Sequence, residues 1–105
     1  MRYKVRLAAR ADLKRHWKKI AEEDASAADR FLAAVEVTFS RIARQPALMG
    51  HALGWRRHAK VRSFRIPKFR RYLIFFAVRP RHVEFKRVLY GMRNLPRLFR
   101  LPDNP

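Results

Sequence analysis

The spacing of apolar residues changes along the chain, and each change marks a predicted element. Residues 2–7 alternate strictly, with Tyr3, Val5 and Leu7 on one face and basic side chains on the other, which is typical of a half-buried β-strand. Apolar residues then recur at helical spacing from about residue 9 to residue 23, and again from residue 26 to about residue 44. Pro46 ends the second stretch. The pattern predicts a strand followed by an antiparallel αα-hairpin.

Particular residues of the hairpin have expected roles. Trp17 falls on the apolar stripe of the first helix, so we expect it to anchor the core, with His16 at the edge of that stripe. Ser26 followed by Asp29 is close to a capping box, which predicts Ser26 as the N-cap of the second helix.

The second half of the chain predicts a three-stranded antiparallel meander over residues 61–66, 72–78 and 82–90. The stretch 72–78 has almost no polar alternation, so we expect a central strand covered on both faces, one of them by a partner. The predicted fold class is α+β in the order β-α-α-β-β-β, with an antiparallel-rich sheet of about four strands and the hairpin on one face. We expect one domain over residues 1–105, with a C-terminal tail from about residue 95 to residue 105.

Charge changes this picture by indicating a partner. The net charge is +18, and between residues 51 and 100 Glu84 is the only acid against fifteen Lys and Arg. Such a field favours a polyanion or an acidic protein. The chain has no cysteine and no apolar segment of membrane-spanning length. We therefore expect a soluble cytoplasmic protein with no membrane partner, no metal and no cofactor.

Candidate chemistry is sparse. Trp55 beside Arg56 and Arg57 is either a stacking-and-phosphate site or a loop attached to the core by its Trp. His82 and Glu84 share one face of a predicted strand and could act as an acid–base pair in RNA cleavage. In the favoured alternative, Glu84 simply pairs with a neighbouring Arg.

Several stretches together resemble the ParE branch of the RelE/ParE superfamily of bacterial toxins, over roughly residues 3–95. They include Asp12-Leu13 with Trp17, the segment ADRFL at residues 28–32, and the ending VEFKRVLYGMR. The resemblance implies the same β-α-α-β-β-β fold. It also implies a toxin of a type II toxin–antitoxin system, of the kind linked to plasmid stabilization, held in a hetero-oligomeric complex by a small acidic antitoxin.

The branch determines the expected target. RelE-like members cut mRNA on the ribosome and carry an Arg directly after the Tyr of the middle strand, where this chain has Leu73. They also carry a later Tyr near the position of Phe99, which has no acid or base to offer. The ending VLYGMRN resembles the VLHGxRD of ParE-like members, which inhibit DNA gyrase and are not known as enzymes.

Three hypotheses follow, with different site residues. A ParE-like gyrase inhibitor would bind its target through Tyr90, Arg93 and Arg97. Its antitoxin would contact a set of aromatic and basic residues: Trp17, Arg65, Arg71, Phe75 and Arg87. A RelE-like endoribonuclease, acting on mRNA at the ribosome, would use another set: Arg62, Arg65, Arg71, His82, Tyr90 and Arg93. The third hypothesis is a basic RNA- or ribosome-binding module without toxicity.

Overall fold

The computed structural model describes residues 1–52 and 60–91, and the predicted order of elements is confirmed. The elements are β1 (Arg2–Val5), α1 (Leu7–Glu23), α2 (Ala25–Arg44), a 3-10 turn (Pro46–Leu48), β2 (His51–Ala52), β3 (Val61–Ile66), β4 (Phe69–Val78) and β5 (His82–Tyr90). The two-residue strand β2 lies in the stretch predicted as a loop, so the sheet has five strands rather than about four.

The strand order β1-β5-β4-β3-β2 places the apolar strand β4 at the centre of the sheet, as predicted. β1 pairs with β5 in parallel, and the other pairs are antiparallel. Ile74 and Phe76 face the helices and join the main core. Leu73 and Phe75 alternate with them and so face the other way, yet they are only 3% and 0% exposed. The chain therefore covers this part of the second face itself, so no partner is needed to bury Leu73 and Phe75.

α2 supplies most of the helical side of the core. Phe31, Val35, Phe39 and Ile42 recur every three or four residues and are all buried against the sheet. Phe39 stacks on Phe85 of β5, with ring centroids 3.9 Å apart. None of the helices in the described residues is long and apolar enough to cross a membrane.

The junction between the helices differs from the predicted one. Asp24 alone separates α1 from α2, and its carboxylate accepts a hydrogen bond from the backbone N–H of Ala27. Asp24 is therefore the N-cap. Ser26 lies inside α2, where its hydroxyl accepts a hydrogen bond from Arg30, so its prediction as the N-cap is wrong.

The most buried side of α1 differs from the predicted apolar stripe, although part of that stripe still packs against the core. Leu7 belongs to α1 rather than to β1 and is 85% exposed. Trp17 is also partly exposed, at 36%, and donates from Nε1 to Asp29, so the prediction of a core anchor is wrong. His16, predicted at the boundary, is buried instead. The reason is that α1 turns a polar side, containing Asp12 and His16, toward β5.

Candidate functional site

A break in the register of β5 determines which side chains face α1. Phe75 pairs with Arg87 while Phe76 pairs with Phe85, so Lys86 is an extra residue in β5, as in a β-bulge. Apolar positions that face the helices therefore shift from odd numbers, such as Phe85, to even numbers, such as Val88. Tyr90 follows Val88 by two residues and lies on this same side.

Two polar side chains of α1 bind the backbone of Val88. β1 stops pairing at Val5 and Phe85, which leaves the outer edge of β5 without a strand neighbour beyond that point. Asp12 Oδ2 accepts from the N–H of Val88 at 2.9 Å, and His16 Nε2 lies 2.7 Å from the Val88 carbonyl oxygen. A carbonyl only accepts, so His16 must donate from Nε2. Asp12 and His16, one helical turn apart, therefore replace the missing strand.

Asp12 also holds Arg87. Its carboxylate accepts from Arg87 Nε at 2.8 Å and from the second guanidinium nitrogen at 2.9 Å, a bidentate pair, and from Arg15 at 2.7 Å. Asp12 is 1% exposed. Burial by itself would raise the pKa of Asp12, but the hydrogen bonds from Arg87, Val88 and Arg15 outweigh it and lower that pKa. The cluster is thus a buried, ionised carboxylate with its charge compensated.

A pocket of about 400 Å³ opens beside this cluster, between the C-terminal half of α1 and the ends of β4 and β5. Its described lining combines basic, aromatic, apolar and acidic groups: Arg15, His16, Lys19, Ile20, Glu23, Tyr72 and Tyr90. The rings of Tyr72 and Tyr90 meet edge to face, with centroids 4.9 Å apart, and Tyr90 is 54% exposed. Arg71 lies next to Tyr90, with one guanidinium nitrogen 3.5 Å from the Tyr90 hydroxyl.

The rings of His16 and Tyr72 both favour their neutral forms. Burial lowers the pKa of His16, which keeps the imidazole neutral while its Nε2 proton is committed to Val88. Burial and the neighbouring Tyr90 raise the pKa of Tyr72. The pocket is therefore better suited to binding, through its concave form, its aromatic rings and its basic side chains, than to acid–base chemistry.

The described residues of the ribonuclease hypothesis do not all converge. His82 begins β5 and Tyr90 ends it, so the two are roughly 26 Å apart along the strand. Glu84 Oε1 accepts from Arg6 at 2.9 Å and lies 3.5 Å from Arg79, while His82 Nε2 is 3.9 Å from Oε2. Burial raises the pKa of Glu84, but the hydrogen bonds and charges of Arg6 and Arg79 outweigh it and lower that pKa. The pairing of Glu84 with neighbouring Arg residues is the arrangement favoured from the sequence.

The described cations of that hypothesis lie in two places, with Arg62 apart from Arg65 and Arg71. Arg62 donates to the carbonyls of Met49 and Gly50, each at 2.9 Å, and so fixes the connection before β2. Arg65 is exposed and donates to the carbonyl of Arg70. Arg65 is thereby placed beside Arg71, which in turn lies beside Tyr90, so these three described members of the set fall at one end of the sheet.

The residues predicted to contact an antitoxin fall into two groups. Trp17, Arg65 and Arg71 are accessible at the surface. Phe75 has no exposed surface, and the side chain of Arg87 is 17% exposed and bound to Asp12. Phe75 and Arg87 therefore contribute little to the accessible surface.

Other predicted features lie outside the described residues. They are Arg93, Arg97 and Phe99, the C-terminal tail, and the Trp55-Arg56-Arg57 stretch. In the residues that the structure does describe, His, Asp and Glu form no cluster able to hold a metal.

Sequence reasoning missed Asp12 and His16. Asp12 entered only the resemblance, and His16 was placed at the edge of a stripe. Their spacing of four residues on one side of a helix was the available signal.

Comparison with known proteins agrees with this fold and order. The model of the ParE toxin family, described as the ParE toxin of the type II toxin–antitoxin system parDE, matches residues 3–95. The chain belongs to the ParE toxin family. It is thus a toxin of a type II toxin–antitoxin system, and the branch indicated by Leu73 and by the ending VLYGMRN is confirmed.

A solved structure shares the architecture of this ParE-family chain. It is described as the chromosomal ParDE TA system from P. aeruginosa and superposes with a TM-score of 0.74. The match covers 88% of this chain and 97% of the other, at 15% sequence identity, and so bears on the fold. No curated protein sequence matches the chain significantly.

Proposed function

We propose that this ParE-family toxin acts as a non-enzymatic inhibitor of DNA gyrase and is neutralised by a cognate acidic antitoxin. The observation that carries the proposal is the separation of His82 from Tyr90, the two titratable residues of the ribonuclease hypothesis. His82 and Tyr90 lie at opposite ends of β5, and two Arg side chains hold Glu84 as an anion. A general acid and a general base must both reach the same phosphate, and a separation of roughly 26 Å along the strand argues against His82 and Tyr90 as that pair.

The target-binding surface that we propose begins at the end of β5. Tyr90 and Arg71 lie together and exposed there, and in the sequence Arg93 and Arg97 follow shortly after. An inhibitor acts through binding, so exposed aromatic and Arg side chains are the appropriate groups.

The antitoxin proposal is supported by charge and by accessible side chains. A chain of net charge +18 attracts an acidic segment over a long range, and the attraction raises the association rate. Trp17, Arg65 and Arg71 offer an aromatic ring and two cations at the surface. We expect them to contact the antitoxin, most strongly at low salt.

The test is a gyrase assay with the purified full chain, supercoiled and relaxed plasmid, gyrase and ATP. We expect loss of supercoiling or accumulation of gyrase-bound linear DNA. Arg71→Gln should weaken the effect several-fold, whereas Arg41→Gln, an exposed cation at the end of α2, should not.

Two results would overturn the proposal. One is normal gyrase activity in the presence of a preparation that arrests cell growth. The other is mRNA cleavage at the ribosome by the same preparation, which would move the toxin to the RelE-like mechanism. Equal loss from both Arg variants would show that net charge, rather than this surface, binds the target.

A further inference from the structure

The pocket beside Tyr90 combines an exposed aromatic ring with two basic side chains of α1, and the proposed inhibition of gyrase gives this combination no role. We propose that it binds one unpaired nucleotide of a single-stranded nucleic acid, with the base against the Tyr90 ring and the phosphate between Arg15 and Lys19. The proposal goes beyond the proposed function and does not depend on gyrase.

Tyr90 provides the stacking surface. Its ring is held by the edge-to-face contact with Tyr72, and the carbonyl of Arg71 accepts from the N–H of the following residue, Gly91, at 2.7 Å. Even so, 54% of Tyr90 remains exposed. An aromatic side chain that is both fixed and accessible is suited to a planar ligand, because little side-chain freedom is lost on binding. Bases stack on such rings without regard to sequence.

The cations are placed to hold a phosphate. Arg15 is 58% exposed and uses one nitrogen on Asp12, which fixes its direction. Lys19, four residues further along α1, is exposed and makes no hydrogen bond or ion pair within the described part of the chain. Residues four apart are neighbours on a helix, so both charges face the same space. Among the described lining residues Glu23 is the single acid, so positive charge predominates.

The shape favours an unpaired nucleotide over other anions. The volume of about 400 Å³ lies within the range of small-ligand pockets, roughly 300–1,000 Å³. A base inside a duplex is stacked and cannot enter a concave site without being extruded. An acidic side chain would satisfy Arg15 and Lys19 but leave the exposed Tyr90 ring uncovered. A nucleotide satisfies both the ring and the cations.

The test measures fluorescence anisotropy of labelled ten-residue oligomers, dT₁₀ and U₁₀, with the full chain over a series of salt concentrations. We expect Tyr90→Leu to weaken binding about 5–100-fold and Tyr90→Phe to preserve it, since stacking needs the ring and not the hydroxyl. Lys19→Gln should weaken binding and lower the slope of log affinity against log salt by about 0.7. Lys18→Gln is the matched control, because it removes an equal charge from the adjacent exposed residue that does not line the pocket. Circular dichroism verifies that each variant is folded.

Each other outcome overturns the proposal. Equal effects of Lys18→Gln and Lys19→Gln, or no effect of Tyr90→Leu, would mean binding by bulk charge. Tighter binding of a dT₁₀·dA₁₀ duplex than of dT₁₀ would exclude an unpaired base. A ten-residue poly-Glu peptide that depends on Lys19 and displaces dT₁₀ would assign the pocket to an acidic protein. The ratio of dT₁₀ to U₁₀ affinity distinguishes DNA from RNA as the source of the nucleotide.

Discussion

The buried carboxylate of Asp12 should be a major contributor to the stability of this toxin. The Asp12 carboxylate accepts two hydrogen bonds from Arg87, one from the Val88 N–H and one from Arg15, and Asp12→Ala removes all four. The Arg87 side chain is 17% exposed and would be left with an uncompensated charge. Removing one partner of a buried ion pair costs about 3–5 kcal/mol. Small domains are stable by about 5–15 kcal/mol, so the loss is a large fraction of the total.

The assay is urea unfolding followed by circular dichroism, supported by thermal melting. At about 4–8 °C for each kcal/mol, Asp12→Ala should lower the melting temperature by more than ten degrees. Arg15→Gln is the matched control. Its side chain is 58% exposed and donates to the same carboxylate, so we expect it to cost no more than about 1 kcal/mol.

A double-mutant cycle locates the cause of the loss. Arg87→Met removes the charge that Asp12→Ala strands, so the double variant should be more stable than the sum of the single changes predicts, by about 2 kcal/mol. A cost below about 1 kcal/mol for Asp12→Ala, or strict additivity in the cycle, would refute the view that this ion pair joins α1 to β5.

Three further predictions concern the termini of the elements and the pH. Because burial lowers the pKa of His16, the imidazole is protonated at a higher pH in the unfolded chain than in the folded one, so the free energy of unfolding should fall as the pH drops below about 6.5. In urea titrations at pH 7 and pH 5, His16→Gln should reduce this fall. Asp24→Ala should cost about 1 kcal/mol through loss of the N-cap, whereas Ser26→Ala, at the second residue of the same helix, should change the melting temperature little. Gly50→Ala should destabilise more than Gly91→Ala, since both glycines have positive φ but only at Gly50 would the new Cβ collide with the backbone of β3; equal melting temperatures would contradict this.

Most of the fold could be predicted because apolar residues recur at the helical period of about 3.6 residues or in short continuous strand-like runs. A helix with one buried side was predicted from the stripe of Phe31, Val35 and Phe39. A central strand was predicted from the apolar run at residues 72–78. Both assignments were confirmed. The strand β2 escaped prediction because two residues cannot display a period.

The orientation of α1 could not be predicted in the same way. Its buried side includes Asp12 and His16, and the rule that charged residues are rarely buried assigns such residues to the surface. Their partner is a backbone N–H and C=O in a strand more than seventy residues away, exposed to them by the end of β1. No local pattern contains that information. The bulge at Lys86 left a trace, because Phe85 and Val88 are three residues apart instead of two.

Pairing between the first and the last strand also sets when a nascent chain can complete its fold. The carboxylate of Asp12 cannot accept its hydrogen bond from Val88 until 76 further residues have been synthesised. At about 5–20 residues per second this takes roughly 4–15 s of translation. A product that terminates before residue 82 has no β5, so β1 lacks its neighbour and the polar side of α1 lacks its partners. Interrupted synthesis therefore yields a fragment that lacks both the β1–β5 pairing and the contacts of Asp12 and His16 with Val88.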